Sequence, residues 1–116
     1  MTIQYKNKGY KQADTNLNTV LTCPIDATVI VKSIYCANND ASSAILVNMS
    51  LVDSSDSNTE YEFFRDDVAA KTQLNASPQG INLEAGDSIK IQSATASNKI
   101  QGVISYAQID RSQENG

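Results

Sequence analysis

The side chains able to do chemistry are few, and their spacing argues against most of what they could do. Asp53, Asp56 and Glu60 place three carboxylates within eight residues, an oxygen density that suits calcium. The segment lacks the mid-loop glycine and the closing acid of a helix-flanked calcium loop, so it reads as a solvated hairpin tip. Asp66 and Asp67 are adjacent; strand neighbours point to opposite faces and cannot share a proton as a dyad. Glu84 and Asp87 flank Ala85 and Gly86. Two carboxylates ~5–10 Å apart across a cleft can cleave a glycoside, but these two decorate one turn, with Asp87 bonding to the turn's own backbone.

Nucleophiles fare no better. The sequence has no histidine, the group that most often carries a proton near neutral pH. The many serines therefore lack a triad partner, and no nucleophile elbow, phosphate-binding loop or dinucleotide fingerprint occurs. Cys23 and Cys36 fit no zinc spacing. They read as small buried hydrophobes, with a disulfide between neighbouring strands as the alternative. No catalytic residue, cofactor site or metal site is expected, and the protein is not expected to be an enzyme.

The elements that must hold these residues are strands. Residues 44–53 alternate, with Ile45, Val47, Met49 and Leu51 expected inward and Asn48 and Ser50 outward. Residues 27–38 are the densest in β-branched side chains, but their period slips. Val29, Val31 and Ser33 share one face while Ile30, Ile34 and Cys36 share the other, so either both faces are covered or a bulge swaps them. Residues 18–24 form a short run stopped by Pro24. Residues 60–65 put Tyr61 and Phe63 on one face, and a weak strand surrounds Leu74. Residues 81–92 read as strand, turn and strand with Ile89 and Ile91 inward and Lys90 solvated. Residues 99–109 put Ile100, Ile104 and Tyr106 on one face. Residues 66–73 read equally as a helical turn or a loop.

The pattern predicts an all-β fold: a single β-sandwich, jelly-roll-like or immunoglobulin-like, of roughly seven to nine short antiparallel strands. Residues 1–14 form an N-terminal arm or edge strand, 15–109 the sandwich, and 110–116 a polar tail. In the arm, Ile3, Tyr5 and Tyr10 are candidate interface residues, because surface tyrosines often anchor protein contacts; packing across the sandwich edge is the competing reading. The arm could also pair with a neighbour's sheet edge.

A net charge of −4 leaves no basic footprint for nucleic acid; Lys6, Lys8 and Lys11 are the nearest approach to one. No run approaches the ~20 apolar residues of a spanning helix, and no secretory signal is evident. No nucleic-acid or membrane partner is expected. Carbohydrate- or host-surface binding is a different class, disfavoured by the absence of tryptophan and by 6% aromatic content.

The order of the phrases "YKNKGYKQADTNLNTVLTCPIDATVIVKSIYCANND", "ILVNMSLVDSS", "INLEAGDSIKIQSA" and "GVISYAQI" resembles small virion proteins of tailed bacteriophages, across residues 5–109. The shared phrases are architectural, not catalytic. The resemblance implies a β-sandwich that attaches in many copies to a capsid as a decoration or cement protein, or that sits at the neck or tail. The implied partners are the major capsid protein or other virion subunits and copies of the chain itself. The implied location is the virion, assembled in the host cytoplasm.

Overall fold

Alternation is written into the strands. Ile45, Val47 and Met49 are buried while Leu46 and Asn48 between them are not, as a pleat with one covered face requires. The computed structural model describes residues 2–111. They form β1 (Thr2–Lys11), β2 (Asn18–Thr22), β3 (Ala27–Asn38), β4 (Ile45–Asp53), β5 (Thr59–Val68), β6 (Gln73–Asn75), β7 (Ile81–Leu83), β8 (Ser88–Ser93) and β9 (Ile100–Asp110).

Every pairing is antiparallel. One sheet runs β1-β9-β3, with β6 and β7 both on the far side of β3; the other runs β2-β8-β4-β5. Most connections jump between the two sheets. That winding is a jelly roll, not the hairpin-rich immunoglobulin order. β6 pairs with Tyr35–Ala37 and β7 with Val29–Val31, so the two short strands share one position.

The gap between them faces a bulge in β3. Register shifts between Val31 and Ser33, so Val29 and Val31 are buried before it and Ile34 and Cys36 after it. This resolves the period slip and corrects two expectations: Ile30 does not share the face of Ile34 but is 40% exposed on the opposite side, and Ser33 leaves the face of Val29 and Val31 to sit beside Ser105 on the outer face. The bulge is satisfied locally. Asn75 Oδ1 accepts from the backbone N–H of Ile34 and of Ser77, each at 3.0 Å.

Between the sheets lie Val29, Val31, Ile34, Val47, Met49, Leu83, Ile89, Ile91, Ile100 and Ile104, all without solvent contact. Each such side chain contributes ~1.5–3 kcal/mol on burial. Cys23 and Cys36 are free and buried, and burial pushes both thiols above their ordinary range, which makes them poor nucleophiles.

Other expectations change in detail. Residues 66–73 hold no helix. Asp66 and Asp67 continue β5 in register with Val47 and Leu46, and sheet pairing outweighs the local preference. The short helical piece that is present is a 3-10 turn, Ser54–Asp56, capped by Asp53, whose Oδ1 accepts from Ser55 N. Ser50 is buried although its side chain lies on the outer face, because Glu62 and Lys90 flank it in register and long side chains cover short ones. Residues 2–11 are not a free arm but an edge strand, in register with β9 from Thr2↔Asp110 to Lys11↔Gln101. Of the expected tail, Asp110 ends β9 and Arg111 donates to the Thr28 hydroxyl and, at 3.3 Å, to Ala27 O. Residues 112–116 lie outside the described residues.

The loop after β3 is held by carboxamide and carboxylate. Buried Asn38 donates to Ser43 O and Val68 O, and Asp40 Oδ2 accepts from Ser42 N and Ser43 N. Those bonds hold the Asp40 carboxyl below its ordinary value of 3.8. A depressed carboxyl stabilises the fold fully above its unfolded pKa and loses that contribution as pH falls through the folded one. Melting temperature is therefore expected to stay flat down to about pH 4 and to fall below it. Asp40→Asn should shrink that acid decline in a pH series of thermal melts.

Candidate functional site

The larger sheet lays a run of apolar side chains on its outer face. In antiparallel strands, directly opposed residues share a face, so the rows follow from register. Ile3 sits beside Ile109 and Thr28; Tyr5 beside Ala107 and Ile30; Asn7 beside Ser105 and Ser33; Gly9 beside Val103 and Tyr35. Tyr5 is 77% exposed, Ile3 52%, Tyr35 48%, and Ile30 and Val103 40% each. Five of the eight large exposed apolar residues among the described residues thus lie on one face.

A polar row crosses this face, where the Ser105 hydroxyl donates to Asn7 Oδ1 at 2.7 Å. Lys32, thrown outward at the bulge, places its ammonium 5.5 Å from the centre of the Tyr5 ring, within cation–π reach. At the far end, Thr28, Ile30, Asn82, Glu84, Ala85 and Arg111 line an open cleft of about 530 Å³. The arrangement suits protein contact: aromatic and aliphatic surface with a cationic rim.

Of the three residues expected at an interface, Ile3 and Tyr5 are on this face and exposed. Tyr10 is not with them. It lies on the inner side of β1, 8% exposed, and its hydroxyl donates to Tyr35 O at 2.8 Å. Burial raises its phenol far above the ordinary range. Ile30, Tyr35 and Val103 were not singled out from sequence. For Ile30 and Tyr35 the signal was the period slip in residues 27–38, which hid that one side of that strand faces solvent; Val103 lies on β9, opposite Tyr35 in register.

Carboxylates do not converge. Asp56 accepts from the Tyr61 hydroxyl at 2.5 Å, which raises the tyrosine pKa. Asp87 is buried within its turn and ties it to the 3-10 turn. Lys90 pairs with Glu60 at 3.4 Å. Among the described residues no group of three or more His, Cys, Asp or Glu side chains is placed to hold a metal ion, and no helix is long and apolar enough to cross a membrane.

No protein-family model matches the sequence, and no curated protein matches it. Among solved structures, one shares the fold and others resemble it less closely. A subunit of Bacillus endospore appendages, described as a family of disulfide-linked pili, is 12% identical, with 96% of this chain and 90% of that one covered and a TM-score of 0.55. A pentameric capsid protein from metagenomic phage sequences is 14% identical, with 93% and 64% covered and a TM-score of 0.43. A structure of infectious bursal disease virus is 10% identical, with 95% and 32% covered and a TM-score of 0.47. The chain thus spans under two thirds of either viral protein, and what it has in common with the pilus subunit is the two-sheet all-β fold.

Proposed function

We propose that the chain is a non-enzymatic structural protein of a virion, of the capsid decoration or cement type, and that it docks through the outer face of its larger sheet. The observation that carries this reading is the clustering of Ile3, Tyr5, Ile30, Tyr35 and Val103 on that face. Exposed apolar surface of this kind marks a contact site. The fold supports the reading, since a pilus subunit with the same fold is a protein that works by assembling. The buried Cys23 and Cys36 are not placed to link subunits as that family's disulfides do. The partner is the major capsid protein or another virion subunit. Many weak contacts on a symmetric lattice then add by avidity.

Tyr5→Asp combined with Ile30→Asp tests the docking face. Quantitative mass spectrometry of purified particles should show the copy number falling at least ~10-fold, because central aromatic and aliphatic anchors dominate such contacts. Leu46→Asp, on the outer face of the smaller sheet, should leave it unchanged. Equal incorporation of both variants, or strong binding of the wild type on a glycan array, would overturn the reading.

A further inference from the structure

The two sheets leave four edges, and they are guarded unequally. β2 is five residues long and bulged, and β6 and β7 are three residues each, lengths that offer little to a second chain. β1 and β5 are ten residues each and each ends its sheet. Their charges are opposite. β1 carries Lys6, Lys8 and Lys11 and no acid, a net +3. β5 carries Glu60, Glu62, Asp66 and Asp67 against Arg65, a net −3.

Within the chain these charges are only partly used. Glu62 pairs with Arg65 at 2.8 Å and Glu60 with Lys90 at 3.4 Å. Among the described residues no ion pair engages Lys6, Lys8, Lys11, Asp66 or Asp67. Lys6 and Lys8 lie on the inner side of β1 and Lys11 on the outer. Asp66 and Asp67 likewise lie on opposite sides of β5. The match therefore holds on both faces of a joined sheet.

Charged side chains on an edge strand commonly guard against aggregation. A chain guarding itself against its own copies would carry one sign at both edges. Here β1 repels β1 and β5 repels β5, while β1 attracts β5. We infer that copies of the chain associate head to tail, the free edge of β1 in one copy adding to the free edge of β5 in the next. The contact is heterologous, so it builds rings or filaments and not two-fold dimers. It uses the sheet edges and not the outer face, although β1 also carries Ile3 and Tyr5 of that face.

Sedimentation velocity on the full chain tests this without any particle. At about 50 mM salt the wild type should form species larger than a dimer, and these should dissociate near about 0.5 M, where screening is strong. Lys6→Glu/Lys8→Glu/Lys11→Glu and Asp66→Lys/Asp67→Lys should each weaken self-association at least ~10-fold. The two reversed variants are complementary to each other, so an equimolar mixture should regain assembly. Circular dichroism checks that each variant folds; if one does not, the wild-type salt series still decides. A monomer or two-fold dimer at low salt, or folded variants whose mixture stays monomeric, would overturn the inference. Either result leaves the docking proposal standing.

Discussion

Gly102→Ala is expected to destabilise the protein by about 3 kcal/mol or more, seen as a fall of about 10–20 °C in melting temperature. Gly102 lies on β9 between Tyr10 of β1 and Cys36 of β3. A Cβ there would sit 1.8 Å from Tyr35 O and 2.7 Å from the Tyr10 hydroxyl oxygen. The first is backbone and cannot swing away. The absent side chain is what lets the Tyr10 phenol reach Tyr35 O, so one methyl group costs both packing and a buried hydrogen bond. Tyr10→Phe isolates the second part. It keeps the ring and loses the hydroxyl, and should cost about 1–2 kcal/mol. A Gly102→Ala variant that melts with the wild type would mean β9 sits differently against β3.

Asp87→Ala is the second large effect, at about 3 kcal/mol. The side chain is 5% exposed. Its Oδ1 accepts from Ser54 N at 3.0 Å and from the Ser54 hydroxyl at 3.2 Å, and its Oδ2 accepts from Glu84 N at 3.0 Å. One carboxylate thus closes the β7–β8 turn and ties it to the 3-10 turn after β4. Truncation leaves two backbone donors without this partner in a partly buried site. Asp87→Asn should cost roughly half as much, since its amide group must turn a donor toward one of those N–H groups. Chemical denaturation should show both losses as a lower midpoint with an unchanged slope. Equal stability of Asp87→Ala and wild type would contradict the assigned bonds.

Strand alternation is local, so it was legible in the sequence, and with it the sandwich. Ile89 and Ile91, and Ile100, Ile104 and Tyr106, lie inward as their spacing requires. Asp87 was legible as a turn residue because its bond to Glu84 N spans one turn. Its bonds to Ser54 were not, because 33 residues separate the two. Tyr10 shows the same limit. It alternates with Lys8, Lys6 and Gln4, and nothing nearby says that the core reaches only as far as position 10. That boundary is set by Gly102 and Tyr35, two strands away in the folded sheet. The exposed apolar face was half legible for a similar reason. Ile3 and Tyr5 declare themselves in a lysine-rich segment, but Ile30 and Tyr35 sit in the most hydrophobic strand. Only the bulge opposite the β6–β7 gap shows which of its residues face solvent.

These features share one premise, that a chemically quiet two-sheet body works through its surfaces as a repeated subunit. Counting copies of the wild-type chain per purified virion, by quantitative mass spectrometry, tests that premise most directly. A decoration role predicts hundreds of copies, and a dozen or so would move the protein to the neck or tail. Particles of full infectivity that contain none would contradict it.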